Sequence, residues 1–268
     1  MTQMIDCRFV ASLIHQTAAA LILPRFQALQ ATEIREKKPG DLVTIADIEA
    51  ERELTRQLGS LVPDALVLGE ESVAEDPSRL EWLSTDRPVW IIDPVDGTAN
   101  FAKGVPGFSV IVALTRHGAV EAGWIYDPLG DVMVYAEKCK GAWSSERRLA
   151  VAMPPAAQDV KGSAYGRAKS GVRAAKALVE SGRIGDVRNQ GSSGLEYLAL
   201  ALGRTQFSLH SRSLPWDHAA GMLIVSEAGG RAGFLDGTVY DTRIPDRPVL
   251  AAASADTWEI VQAVVAAP

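Results

Sequence analysis

Val89-Trp90-Ile91-Ile92-Asp93-Pro94-Val95-Asp96-Gly97-Thr98 is the stretch from which the rest of the chain can be read. Its first four residues are bulky and apolar, the composition of a strand buried on both faces. It runs straight into Asp93, so a carboxylate begins at the edge of a buried sheet, where a charge must find a partner. No basic residue follows before Lys103. Clusters of oxygen donors without His or Cys suit hard cations, and Mg2+ is held by a few carboxylates together with the oxygens of a phosphate. Pro94 fixes the backbone and lets the Val95 carbonyl turn in beside Asp93 and Asp96, which makes a compact ligand set. Gly97 and Thr98 follow where a helix can start, and their free N–H groups, at the positive end of its dipole, would seat an anion.

Upstream, residues 4–29 place Val10, Leu13, Ile14, Ala20 and Leu21 on helical spacing, which predicts a long amphipathic helix kinked or ended near Pro24. A polar turn follows, Glu33 to Asp41. Thr44 with Asp47 three residues on predicts an N-cap, opening a second helix through about Leu58 that carries Ile48, Leu54 and Leu58 on one face. Pro63-Asp64 breaks the chain, and Ala65 to Leu68 reads as a short buried strand ending in Gly69-Glu70-Glu71-Ser72.

Downstream, Phe108–Leu114, Val120–Tyr126 and Val132–Ala136 are β-rich runs divided by His117-Gly118 and Asp127-Pro128-Leu129-Gly130, the pattern of an antiparallel meander. From about residue 150 the pattern alternates. Helices are expected at 168–181, 193–202 and 216–228 and at the C-terminus, strands at 184–188, 206–210 and 248–252. The chain therefore divides into an N-terminal α+β part, residues 1–150, and a C-terminal α/β part, residues 151–268, with Met153-Pro154-Pro155 marking the linker. The fold class is α/β overall.

The 268 residues are 47% hydrophobic and 22% charged, which excludes disordered, collagenous and disulfide-framework classes. Net charge is −6, and basic residues never run beyond pairs such as Lys37-Lys38 and Arg147-Arg148. A nucleic-acid groove is not expected, although a small phosphorylated ligand can still be held by local charge or metal. Cys7 and Cys139 lack metal or redox spacing, so a reducing, cytoplasmic compartment is the expectation. The apolar run Ala18–Leu23 is too short for a secretory signal or a membrane span, and no membrane association is expected.

Taken singly, each acid has an ordinary reading. Asp-Pro and Asp-Gly are turn pairs, Glu70-Glu71 is a solvated pair, Asp47 is a capping acid, and Asp217 complements a helix dipole; His210 and His218 read as structural histidines. Together with their surroundings they resemble the inositol monophosphatase family of metal-dependent, lithium-sensitive phosphatases. The resemblance is carried by Gly40-Asp41-Leu42-Val43-Thr44 with Ala46-Asp47, by Gly69-Glu70-Glu71-Ser72, by Trp90 through Phe101, by Trp216-Asp217-His218-Ala219-Ala220-Gly221 and by Glu227-Ala228-Gly229-Gly230. These run in the family's order from about residue 37 to 253.

The resemblance implies a layered αβαβα fold and a phosphomonoesterase that uses two to three Mg2+ ions. Glu70, Asp93 and the Val95 carbonyl would hold the first ion, and Asp93, Asp96 and Asp217 the second, with Glu70 also serving a weakly held third. Asp47 and Thr98 would orient and deprotonate the attacking water, so Asp47, Thr98 and Glu70 are the catalytic candidates. Gly97, Thr98, Gly191, Ser192 and Ser193 would contact phosphate or substrate through backbone N–H groups, and Lys37 or Lys38 would stand near the metals. A homodimer and a small phosphorylated metabolite as partner are implied in the same way.

One position departs from the pattern. Inositol-specific relatives carry a Glu a few residues before the Trp-Asp pair, whereas this chain offers His210 and Arg212 in His210-Ser211-Arg212-Ser213-Leu214-Pro215. A carboxylate accepts hydrogen bonds from a polyol; Arg or His would favour a second anionic group. Inositol monophosphate, 3′-phosphoadenosine 5′-phosphate, histidinol phosphate and fructose 1,6-bisphosphate stay open as substrates. A haloacid-dehalogenase-like mechanism needs aspartates two apart, but Asp93 and Asp96 are three apart with Pro94 between them. A non-catalytic binder of phosphorylated ligands would have lost a metal ligand, and none is missing here.

Overall fold

The structure is a computed structural model that describes residues 5–152, 159–166 and 170–266. The N-terminal helix α1 (Cys7–Thr17) is capped by Asp6, whose carboxylate accepts from Arg8 N and Phe9 N. It continues as a widened π turn over Ala18–Ile22 and a 3-10 turn over Leu23–Arg25. Pro24 has no N–H to offer the preceding turn, so the helical ladder loosens and stops there, as the sequence predicts. The whole helical stretch, Cys7–Arg25, is 19 residues long and by length and composition apolar enough to cross a membrane. One face of it, Val10, Ile14, Ala18 and Ile22, is nevertheless at 0% exposure and packs with Trp90 and Ile92 in the interior, while most of the stretch stays exposed or half-buried, so it is an amphipathic helix laid on the protein.

Residues 34–44 correct the expected polar turn: β1 (Ile34–Lys38) and β2 (Asp41–Thr44) form an antiparallel ribbon. Its residues are mostly polar and partly exposed, so no hydrophobic alternation betrays it. Helix α2 (Ile45–Leu58) starts at the Thr44 capping box. Strand β3 (Leu66–Gly69) leads into the short helix α3 (Glu70–Glu75), and β4 (Val89–Asp96) into the shorter α4 (Thr98–Ala102). The meander follows as β5 (Ser109–Arg116), β6 (Ala119–Asp127), β7 (Val132–Glu137), β8 (Gly141–Ser144) and β9 (Arg147–Arg148). All seven strands from β3 to β9 lie in one sheet in chain order, with only the β3/β4 pair parallel.

The second sheet has five strands. They are β10 (Lys161–Tyr165), β11 (Asp186–Val187), β12 (Phe207–His210), β13 (Arg231–Phe234) and β14 (Val249–Ala252), in the order β11-β10-β12-β14-β13. Its helices are α5 (Ser170–Glu180), α6 (Ser193–Ala201), α7 (Pro215–Glu227) and α8 (Ala255–Ala266). The expected α/β alternation is present, with β10, β11 and β12 parallel and β13 and β14 antiparallel. Strands β10 and β13 escape sequence reading because Lys-Gly-Ser-Ala-Tyr and Arg-Ala-Gly-Phe are rich in small residues and lack a β pattern. The expected linker at Met153-Pro154-Pro155 lies outside the described residues.

Period-two alternation sorts each strand's side chains to opposite layers. From β4, Trp90 and Ile92 face α1 and α2 while Val89 and Ile91 face α6 and α7. Helices α6 and α7 are shared with the second sheet, whose far side is covered by α5 and α8 through Leu178, Trp258 and Val261. The result is the expected αβαβα layering. Helix α7 is pressed so tightly into the middle that a Cβ on Gly123 of β6 would lie 2.7 Å from the Cα of Ala220, and one on Gly221 would lie 2.2 Å from the Tyr197 ring. At its far end Glu227 accepts from Cys139 N (2.7 Å) and Gly141 N (2.8 Å), tying the β7–β8 turn to the helix.

Gly123→Val should therefore push α7 off the sheet and lower stability by at least about 2 kcal/mol. Urea denaturation checks this, and an unchanged midpoint would show that helix and sheet can part freely.

Candidate active site

Strand β4 is buried along its whole length and is paired on both sides, with β3 and β5. Its register with β5 slips between Asp93, opposite Ile111, and Asp96, opposite Ser109. Pro94 cannot donate to the ladder, so the chain bulges there. Val95 N donates to Asp93 Oδ1 (3.1 Å) and its carbonyl accepts from Thr98 Oγ1 (3.0 Å). Gly97 then turns the chain at φ 96°, and a Cβ there would meet the Gly107 carbonyl at 2.6 Å, so only glycine fits.

Asp217 arrives from the first turn of α7. One carboxylate oxygen from each of Asp93, Asp96 and Asp217 lies within 4.8 Å of the others. Asp93 is 2% exposed and Asp96 7%. Burial first, then the charges of Glu70, Asp96 and Asp217, push the Asp93 carboxyl well above the usual carboxylate range. Burial, then Asp96 and Glu70, do the same to Asp217, with Arg212 and Lys37 opposing. The all-oxygen donor set is thus short of positive charge, which fits a hard divalent cation such as Mg2+.

Glu70 opens α3 directly after β3. It stands outside the aspartate trio and its Oε1 accepts from Lys37 Nζ at 2.8 Å, while Lys37 also reaches Glu71 (3.0 Å) and Asp41 (3.5 Å). Of the two lysines left open by the sequence, Lys37 is the one at the site. Burial pushes the Lys37 ammonium down, but Glu70 and Glu71 outweigh it and the net shift is upward. Burial and then Glu70 push the Glu71 carboxyl up to about 8.

Asp47 and Thr98, far apart in sequence, meet: Thr98 Oγ1 donates to Asp47 Oδ1 at 3.1 Å. The other carboxylate oxygen of Asp47 accepts from Thr44 N at 2.9 Å, so one side chain caps α2 and reaches the site. Burial pushes Asp47 up to about 6, with Thr44's hydrogen bonds holding it back.

The loop before α6 also reaches the site, with its donors turned inward. Asp96 accepts from Ser193 N (3.1 Å), Gly194 N (2.8 Å), Ser193 Oγ (2.9 Å), Ser109 Oγ (2.8 Å) and Ser192 Oγ. Gly191 N donates to Asn189 Oδ1 at 2.7 Å. The N–H groups expected to face phosphate from Gly191 and Ser193 are thus spent within the protein, the first on the Asn189 side chain and the second on Asp96, the anion nearest the α6 N-terminus. Ser109 is a contact the sequence reading missed; its only signal is a lone hydroxyl opening an apolar strand.

A profile of the inositol monophosphatase family matches residues 6–267. The chain belongs to that family. It is 35% identical to the inositol-1-monophosphatase of Rhizobium meliloti over 214 residues, 76% of each chain. It is 34% identical to the fructose-1,6-bisphosphatase/inositol-1-monophosphatase of Thermotoga maritima over 197 residues, 73% of each, and 32% identical to the Nus factor SuhB of Escherichia coli over 221 residues, 80% of this chain and 79% of that one. Among solved structures, the Thermotoga maritima IMPase superposes with a TM-score of 0.80 at 28% identity, covering 96% of this chain and 95% of that one. The suhB protein of Bartonella henselae gives 0.81 at 27% identity, covering 97% and 98%. This family member is a phosphoric monoester hydrolase acting on small phosphorylated substrates.

Within the family frame, the departure at His210 and Arg212 takes a physical form. His210 is 3% exposed and does not face an open site: its Nε2 lies 2.7 Å from Ser208 Oγ and 3.3 Å from Glu196 Oε2. Burial pushes it down to about 3, so the ring is neutral and offers no charge to a second anion. That corrects the sequence expectation for His210. Arg212 is close enough to Asp217 to pull that carboxyl down, although its Nε is engaged by Asp246.

Glu196, on α6, was not foreseen. It accepts from Ser163 Oγ (2.8 Å), Ser208 Oγ (3.2 Å) and Gln190 N (3.2 Å), joining β10, β12 and the loop that holds Asp96. Burial, only partly offset by these bonds, pushes it up to about 7. Since the folded value lies above the unfolded one near 4.5, the native state binds the extra proton between those pH values and loses stability as pH rises through about 7. Glu196→Gln, neutral throughout, should remove that slope and gain over the parent by up to about 3 kcal/mol at pH 8 while showing no gain at pH 4.5. Urea midpoints across this range check it; a gain independent of pH would contradict the assignment.

Proposed function

We propose that the chain is a Mg2+-dependent phosphomonoesterase in which water attacks the phosphorus of a small phosphorylated metabolite. The observation that carries the reading is the trio of converging, mutually repelling aspartates, Asp93 and Asp96 buried and Asp217 half-buried, beside the Asp47–Thr98 pair. Asp93, Asp96 and Asp217 would hold two ions, Asp93 bridging, with the Val95 carbonyl and Glu70 completing the first and Glu70 serving a third. Bound Mg2+ supplies neutralisation of the phosphate and acidification of the attacking water.

The chain's own groups supply orientation and a proton path. Thr98 Oγ1 takes the proton that leaves the water and passes its own to Asp47 Oδ1, whose carboxylate, with a pKa of about 6, is ionised at neutral pH. The P–O bond to the alcohol breaks as water's oxygen bonds to phosphorus, and the departing oxygen takes up a proton. Gly97 and Thr98, at the start of α4, would receive phosphate oxygens, and the loop would do so only after Gly191 releases Asn189 and Ser192 and Ser193 release Asp96.

The leaving group is read as inositol or a similar small alcohol, and Arg212 favours one bearing a second anionic group once Asp246 yields. The other substrates of the same reading are 3′-phosphoadenosine 5′-phosphate, histidinol phosphate and fructose 1,6-bisphosphate. We read the chain as two parts, residues 1–150 with most of the ligands and residues 151–268 contributing Asp217. A cytoplasmic homodimer inhibited by Li+, without a nucleic-acid or membrane partner, completes the reading.

Phosphate release from these esters, with Mg2+ and with EDTA, tests the activity directly, and release undiminished by EDTA would sink the metal assignment. Asp93→Asn should abolish turnover and weaken Mg2+ binding in calorimetry while the protein still melts cooperatively. Near-normal turnover in excess Mg2+ would remove Asp93 from its bridging place. Thr98→Ala should lower kcat by about 100-fold or more with little change in Mg2+ affinity; the reverse pattern would make Thr98 part of the metal site instead.

A further inference from the structure

Helix α3 is too short to persist alone, at six residues. Its first turn leaves N–H groups that no helical carbonyl can accept, and two of them are taken by a side chain from another element. Glu51, on α2, accepts from Glu71 N through Oε2 and from Ser72 N through Oε1, both at 2.8 Å. The geometry of this contact is unusually exclusive. A Cβ on Gly69 would lie 2.1 Å from the Glu51 carboxyl carbon, so the carboxylate fits only because residue 69 is glycine.

The placement is also costly. Glu51 is 6% exposed, has no basic partner in these bonds, and stands near the like charge of Glu70. Ser72 already provides a local cap, its Oγ accepting from Gly69 N at 3.1 Å. A second, buried and charged cap is more than keeping a surface turn helical requires. What the contact adds is a fixed line from α2 to the backbone on which Glu70 is mounted, one turn along α2 from Asp47.

We infer that Glu51 is a positioning residue for the metal centre: by clamping the N-terminus of α3 through Glu71 N and Ser72 N, it holds Glu70 at the site. This rests on reading Glu70 as a metal ligand. Glu51 touches neither substrate nor ion; it acts through Glu70, as groups behind first ligands do elsewhere, where their loss weakens metal binding about 10- to 100-fold. Glutamine keeps the length but presents an NH2 group to one of the two N–H donors, so Glu51→Gln breaks half of the clamp.

The test is calorimetric titration of Mg2+ into the parent, Glu51→Gln, Gly69→Ala and Glu70→Gln, with Mg2+ activation curves for phosphate release and urea midpoints in EDTA. Glu51→Gln is expected to weaken Mg2+ binding about 10-fold or more and to keep kcat at saturating Mg2+ within about two-fold of the parent. Gly69→Ala, which displaces the carboxylate while leaving its charge, should do the same and serves if Glu51→Gln fails to fold. A purely structural cap would lower the urea midpoint and leave Mg2+ affinity alone; that result, with Glu70→Gln still weakening binding, overturns the inference and spares the metal site. Unchanged binding in Glu70→Gln overturns both.

Discussion

Mutual repulsion among Asp93 and Asp96, both buried, and Asp217, half-buried, all carried to one point, is the constraint around which the molecule is arranged. The nearest fixed cations, Lys37 and Arg212, relieve it only in part. Lys37 is bound to Glu70, Glu71 and Asp41, and Arg212 is engaged by Asp246. A chain selected for stability alone would not leave acids so placed, since an unpaired buried charge is among the most destabilising features a fold can carry. That charge deficit is what would give the trio affinity for a hard divalent cation.

The surrounding architecture lowers the cost by pointing helix N-termini inward. Helices α3, α4, α6 and α7 all begin at the site, bringing Glu70, Thr98, the Ser192-Ser193 pair and Asp217 with them. Their N-terminal dipoles favour negative charge, and α6 goes further by donating Ser193 N and Gly194 N to Asp96. Such convergence needs rigid neighbours. The contact of α7 with Gly123 on one side and of its Gly221 with Tyr197 on the other fixes how far Asp217 stands from β4.

Asp47 shows how one carboxylate can make two distant contacts. As a capping acid it is bonded to Thr44 N, and its other oxygen is bonded to Thr98, far along the chain. His210 went the other way. Its place in the chain suggested a ligand contact, but the end of β12 lies under Tyr197 and beside Glu196, so the ring is a neutral part of the interior. Glu51 and Glu196 carried no local signal at all, since a glutamate in a helix is ordinary until its burial is known.

By itself the sequence determined the element types with strong periodicity, the N-cap at Thr44, the oxygen-donor loop from Asp93 to Thr98 and the membership in a phosphatase family. These are properties of neighbours in the chain, where backbone geometry and side-chain alternation act over a few residues. Tertiary structure alone decided which lysine approaches the acids, that Asp96 occupies the α6 N-terminus, that His210 is buried and that Glu51 clamps α3. Each of those depends on how closely two layers pack, which is set by the volumes of residues far apart in sequence and cannot be read from either partner alone.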